Sequence, residues 1–200
     1  MNIAKYSVKN LVGSAIITGI NCLCYGSLMI WALIHTNAQA GMVVALSLAL
    51  SVGISYLILK VIALALFNTK AKRPLDTIAH CFGYLTLMCL FYPLCFGVKS
   101  FASGWVAFGI VTLWAVLALI YESIFYTKHW RIVYAVSLVC LIICLILVMT
   151  GISINLFLAY GFIFGIFAYW CQRYMPKTLW IACLLEFLAF SFWIIGLLQY

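Results

Sequence analysis

The chain has 200 residues, of which 68% are hydrophobic and 7% charged, and it carries a formal net charge of +8. A soluble globular surface takes roughly 25% charged residues, so a soluble domain is excluded and a polytopic membrane protein is the class left. The Lys and Arg fall in short turns between apolar runs, where they set topology, so nucleic acid is not an expected partner.

Seven apolar segments follow one another, at about 11–34, 42–67, 77–98, 104–126, 132–150, 152–171 and 178–199. Each approaches the ~20 residues that a helix needs to cross a ~30 Å hydrocarbon core. MNIAKYSVK ahead of the first segment has no clear small-residue cleavage site, so that segment is expected to stay as a span. The fifth and sixth segments are short and meet at Thr150 and Gly151, which requires a tight turn there.

Charge counting tests the division independently. Lys5 and Lys9 precede the first segment; Lys70, Lys72 and Arg73 follow the second; Lys128 and Arg131 follow the fourth; Arg173 and Lys177 follow the sixth. The opposite side has only Lys99, and Lys60 lies within a segment. An excess of Lys and Arg marks the cytoplasmic side. The expectation is an all-α, single-domain bundle over 1–200 with seven transmembrane helices, the N terminus in the cytoplasm and the C terminus outside. HTNAQAG, KSFASG and TGISIN are outer loops and NTKAKRPLDT, TKHWR and QRYMPK inner ones, all short enough to make sequential helices antiparallel neighbours.

Small residues at Gly13, Gly19 and Gly26, and at Gly161 and Gly165, permit close helix contact, the last two as plain packing or as a dimer face. The nine cysteines lie mostly in apolar segments and read as small buried hydrophobes. Cys140 and Cys144 are one turn apart without a histidine in their segment, which argues against a metal pair. Trp105, Trp130, Trp180 and Tyr200 sit where interfacial aromatics anchor a bundle.

Ionisable groups inside a bilayer cost roughly 2.5 kcal/mol or more and usually face the protein interior. Glu186 is about 12 Å past Thr178, and Lys60 about 10 Å before Phe67, at 1.5 Å per residue. Their depths match and their signs are opposite. Lys60 is expected to face Glu186 or, failing that, Glu122; alternatively it snorkels to the surface while Glu186 is protonated. Asp76, beside Pro74, reads as a charge at the N-terminus of the third segment, helped by the helix dipole. His80 reads as a hydrogen-bonded residue of the bundle. No carboxylate pair within one segment, no Ser-His-Asp order and no Gly-rich phosphate loop is present, although the fold could still bring Ser191 or His80 near Glu186.

With this topology in view, YSVKNLVGSAIITG, RPLDTIAHCFGYL with Pro93, GWVAFGIVTLWAVLALI, and FAYWCQR followed by Trp180 occur in an order and spacing that resembles the hemolysin III branch of the progestin and adipoQ receptor family. The resemblance covers nearly the whole chain. It implies seven spans and a zinc site near the cytoplasmic face. The zinc ligands do not carry over: their positions fall at about Leu64, Lys177 and Ile181, with the nearby serine at about Lys60 and the aspartate at Ala79. The family's polar residues in the first and last spans correspond to about Asn10 or Leu11, Ser14, Thr18 and Ser191, leaving Arg73, His80, Tyr84 and Pro93 as scaffold. A zinc ion needs about three good protein ligands, and His35, His80 and His129 lie in three different segments, so no metal cofactor is expected.

The resemblance thus implies a member without the hydrolase apparatus, acting in membrane lipid or energetic homeostasis and carrying the branch's cytolytic label. It would bind membrane lipid, a membrane-protein partner or a second copy, in a bacterial inner membrane. The alternatives are a small transporter or channel whose polar path is lined by Lys60, Asp76, Glu122 and Glu186, and a metal-independent membrane lipid hydrolase. The candidate polar cavity comprises Lys60, Asp76, His80, Tyr84, Glu122, Glu186 and Ser191.

Overall fold

The computed structural model describes residues 8–35, 40–97, 101–125, 142 and 156–197. Six α-helices form there: α1 (Val8–His35), α2 (Ala40–Ala65), α3 (Lys72–Gly97), α4 (Phe101–Phe125), α5 (Leu156–Tyr174) and α6 (Leu179–Leu197), with a 3-10 turn at Pro176–Thr178 before α6. Long apolar runs become helices because lipid offers backbone N–H and C=O groups no partners, so each segment must bond to itself. Five helices among the described residues are long and apolar enough to cross a membrane, namely Val8–His35, Gly41–Ala65, Lys72–Phe96, Gly104–Ile124 and Leu179–Leu197. Apart from Ile142, the predicted segment at 132–150 lies outside the described residues, as do Cys140, Cys144, His129, Trp130 and Tyr200.

The distribution of side chains is inverted relative to a soluble protein. Leu23, Ile34, Leu113 and Ile124 point outward, each more than 60% exposed, while Ser14, Thr18, Asn21, Lys60, Thr86 and Glu122 are buried. Apolar atoms outside and polar atoms inside is the arrangement that a hydrocarbon solvent selects. The chain is an integral membrane protein.

α3 starts at Lys72, five residues before the predicted boundary. Three linked turns carry the chain from α2 to it, with Leu66 N–H donating to Ile62 O, Thr69 N–H to Leu66 O and Lys72 N–H to Thr69 O. Pro74 falls in the first helical turn, where its missing N–H costs nothing. Asp76 is therefore inside the helix and not at its N-terminal edge, and the first turn of α3 holds no acidic residue. The dipole role read from the sequence is replaced by one within the helix pair α3–α4, described below.

α1 runs antiparallel to α2 and parallel to α6, and Tyr25 joins all three. Its hydroxyl donates to Ala49 O at 2.6 Å, and its ring meets the Phe190 ring edge-on at 5.2 Å. That ring lies over Gly53, where any Cβ would come within 2.5 Å of it. At one end of the bundle Asn10 Nδ2 donates to Lys177 O, tying the start of α1 to the turn before α6. Lys9, Lys70, Lys72, Arg73 and Lys177 gather at this same end, the basic end.

α3 packs antiparallel between α2 and α4, and α5 packs antiparallel on α6. Pro93 lies inside α3 and cannot donate to the preceding turn. Trp193 of α6 donates its Nε1–H to Leu90 O at 3.1 Å in that loosened turn, and its ring packs on Phe91 and Phe162. Gly161 brings α5 close to α6, where an added Cβ would lie 3.1 Å from the Ala189 carbonyl oxygen, and Gly165 faces Ala189 as well. This pair of glycines packs within the chain. Gly26 likewise approaches Ile54, but Gly13 and Gly19 meet nothing within 4 Å and serve no helix contact in the described residues.

Candidate functional site

Two buried acidic clusters flank α3. The first joins α2 to α6. Lys60 lies five residues before the end of α2 and Glu186 seven residues after the start of α6, both measured from the basic end, so both side chains are about 8 to 10 Å deep. Lys60 Nζ donates to Glu186 Oε2, with the two side chains 9% and 14% exposed.

Tyr56, one turn from Lys60, completes the group. Its hydroxyl donates to Glu186 Oε1 and accepts from Lys60 Nζ at 3.4 Å, while the ammonium lies 5.6 Å from its ring centroid. Both carboxylate oxygens are thus bonded and the charges cancel. Gly83 of α3 makes room for this ring, since a Cβ there would lie 3.3 Å from it. A side chain at position 83 would require the Tyr56 ring to shift.

α1 adds a polar column at helical spacing, Ser14, Thr18 and Asn21, all 1% exposed or less. The two hydroxyls bond back to their own helix, Ser14 Oγ to Asn10 O at 2.7 Å and Thr18 Oγ1 to Ser14 O at 2.8 Å. Asn21 has no hydrogen-bond partner at either side-chain atom among the described residues. It is one turn from Tyr25 just as Glu186 is one turn from Phe190, and Tyr25 touches Phe190 on parallel helices. The free amide is therefore level with the ion pair.

The second cluster lies on the other face of α3, toward α4. Asp76, His80 and Tyr84 follow at intervals of four and so share that face. Glu122 of α4 is 4% exposed, and its Oε1 is 3.4 Å from His80 Nδ1 without the alignment of a hydrogen bond. The His80 side chain is 39% exposed. Asp76 lies in electrostatic reach of His80 and Lys72, and Tyr84 in reach of Glu122 and Tyr169. One turn of contact beside them comes from Cys81 Sγ and Ser123 Oγ at 3.8 Å, and a deeper one from the Tyr84 and Trp114 rings at 5.9 Å.

No family model, curated protein or solved structure matches this chain.

The structure brings Lys60 and Glu186 together, and separately Asp76, His80, Tyr84 and Glu122. It does not bring Glu122 to Lys60, because α3 lies between them. Ser191 is partly buried five residues beyond Glu186, about 140° around α6, so it does not join that carboxylate. Among the described residues no three His, Cys, Asp or Glu side chains gather as a metal site. Among the described residues Cys89, Cys95, Cys171 and Cys183 are buried, and Cys22, Cys24 and Cys81 are partly exposed.

Two members of the site went unread in the sequence. Tyr56 had a usable signal, its place four residues before Lys60 on one helical face. Asn21 had another, the spacing of polar residues at 10, 14, 18 and 21 in an otherwise apolar helix.

Proposed function

We propose that this chain is a seven-span membrane protein of hemolysin III-like architecture in which the Lys60–Glu186 pair replaces a bound metal, and that it acts by binding lipid or a membrane partner. The observation that carries the reading is the closed Lys60–Tyr56–Glu186 group. It joins α2 to α6 at the depth where the resemblance puts a cation, with a lysine standing near the family's serine position. A fixed pair of opposite charges braces two helices as a cation held between them would, and it leaves no vacant carboxylate oxygen for an ion.

Seven crossings agree with the direction of the helices. α4 runs antiparallel to α3 and ends at the basic end, whereas α5 runs antiparallel to α6 and starts at the opposite end. Residues 126–155, with the predicted segment 132–150, join those two ends. The basic end is then cytoplasmic, and the resemblance implies a bacterial inner membrane. A role in membrane lipid or energetic homeostasis without zinc-dependent hydrolysis is the functional conclusion.

The test is elemental analysis of protein purified in mild detergent, with mass spectrometry of the lipids that remain bound. Expected are zinc far below one ion per chain and a retained lipid class. Zinc near one per chain, with loss of thermal stability on chelation, overturns the metal-free reading. Protein stripped of every lipid but fully stable overturns lipid binding.

A further inference from the structure

The lipid-binding reading leaves open where a lipid would be held, and the basic end has one place where cations from two helices are tied together. Asn10 Nδ2 donates to Lys177 O, so Lys9, the residue before Asn10, and Lys177 are neighbours across the seam between α1 and α6. Both lysine side chains are exposed. Each ammonium sits on a flexible four-carbon stem, so the two can converge on one anion.

The charge of this pair is not opposed from within the chain. The sequence has three acidic residues, Asp76, Glu122 and Glu186. α1 contains none of them, and the one acid of α6, Glu186, has its oxygens bonded to Tyr56 and Lys60. The other basic group, Lys70, Lys72 and Arg73, differs in this respect, because Asp76 lies within electrostatic reach of Lys72 and partly offsets it.

Below the tie the seam is open. Asn10, Gly13 and Ile17 follow at spacings of three and four, so they share the face of α1 from which Asn10 reaches the turn before α6. A Cβ added at Gly13 would meet nothing within 4 Å, so α6 does not fill the seam at that level. On α6, Trp180 and Leu184 are one turn apart, 42% and 40% exposed. At 3.6 residues per turn Trp180 is about 80° around α6 from Phe190, which meets α1, and about 180° from Ala189, which meets α5, so it flanks the seam.

From the basic end inward the seam thus presents two ammonium groups, an indole and then open aliphatic surface. Trp180 is three residues beyond Lys177, and Leu184 is a further four, about 6 Å deeper. A phospholipid with its chains in the membrane presents phosphate, glycerol ester and acyl chain in that same order, and a Trp ring suits the ester level.

We propose that the α1–α6 seam at the basic end binds an anionic phospholipid, with the phosphodiester between Lys9 and Lys177, Trp180 against the glycerol esters and one acyl chain along Gly13 and Ile17. A zwitterionic lipid brings a cation of its own beside the phosphate, which the two lysines repel, so a headgroup of net negative charge is preferred. The proposal rests on the reading of the chain as a lipid-binding membrane protein, and it adds the lipid class and the place.

The experiment measures thermal unfolding of the full chain in uncharged detergent with added phosphatidylglycerol or phosphatidylcholine of matched chains, and with inorganic phosphate. Phosphatidylglycerol is expected to raise Tm by about 4 °C or more over phosphatidylcholine at saturation. Inorganic phosphate, with no chain to lie in the seam, is expected to have less than about half that effect. Lys9→Gln and Lys177→Gln each reduce the preference for the anionic lipid and together abolish it, whereas Lys70→Gln keeps most of it. Gly13→Phe, which fills the seam without changing a charge, weakens it as well. An equal rise with the two lipids overturns the proposal, and the wild-type chain alone decides this if a variant does not fold. A preference that falls as far in Lys70→Gln as in the double variant shows attraction spread over the whole basic end and overturns the seam assignment. A full effect of inorganic phosphate overturns lipid as the occupant. Equal rises with both lipids above detergent alone leave the broader lipid-binding reading standing, while no rise with either lipid sinks both.

Discussion

Glu186 and Glu122 are both buried carboxylates within the helical bundle, on opposite sides of α3, and their surroundings differ in kind. Glu186 has a lysine on one oxygen and a tyrosine hydroxyl on the other, and those two donors also touch each other. Glu122 has a histidine nearby that is not aligned to donate, and one of its oxygens is without a hydrogen bond. The difference teaches what each is for. A carboxylate whose bonding capacity is filled from within the chain can act only as a structural clasp, and one with capacity left over can still accept a donor.

The largest effect expected from this contrast is at Lys60. Lys60→Met leaves Glu186 charged and short of a partner, at a cost of about 3 to 5 kcal/mol in unfolding stability. Adding Glu186→Gln is expected to recover most of that, because replacing both members of a buried pair is often near neutral. Strictly additive losses in the double-mutant cycle, read from denaturant or thermal unfolding in detergent, would break the clasp half of the comparison.

Gly53→Ala tests the seam beside the clasp. The new Cβ displaces the Tyr25 ring and with it the bond to Ala49 O, for a loss of about 2 kcal/mol. The control is Gly13→Ala, where nothing lies within 4 Å and helix propensity predicts a gain of up to about 1 kcal/mol. Equal effects at the two glycines would show that Tyr25 is not the pin of α1, α2 and α6.

Tyr56→Phe removes one donor from Glu186 and leaves the lysine. The expected loss is about 1.5 kcal/mol, the range for a hydrogen bond to a charged group, and circular dichroism against temperature reads it. A loss as large as that of Lys60→Met would move the weight of the clasp from charge to hydroxyl. Asn21→Leu, level with the same group, removes a buried amide that has no described partner, and about 1 kcal/mol of stability is expected to be gained. A loss there would reveal that the amide is bonded in the membrane.

The smallest effect is expected at Glu122. Glu122→Gln keeps the shape, and the relief of a buried charge that no hydrogen bond at Oε1 supports is offset by loss of the pairing with His80, so stability without added lipid should change by less than about 0.5 kcal/mol. A loss matching that of Glu186→Gln would make the two carboxylates alike and erase the contrast.

Much of this was readable before the fold was seen, and for definite reasons. The position of each helix follows from runs of apolar residues, and α1, α2, α4 and α6 start and stop within about three residues of the predicted segments. The start of α3 was missed because Lys72 and Arg73 read as loop, although charged residues and Pro74 are well suited to a first turn. The matching depths of Lys60 and Glu186 were legible because rise per residue is fixed in a helix. Which neighbour each acid faces was not, because rotation about the helix axis is set by packing.

The amino-acid sequence by itself determined that this is an all-helical membrane protein with its cationic groups at one end, since hydrophobicity and charge position act segment by segment. Only the tertiary structure decided that α3 separates the two acids, that Tyr56 closes one group over Gly83, and that Asn21 and Glu122 keep unfilled bonding capacity. Those outcomes depend on which helix faces which, and local composition carries no record of azimuth once several faces are equally apolar.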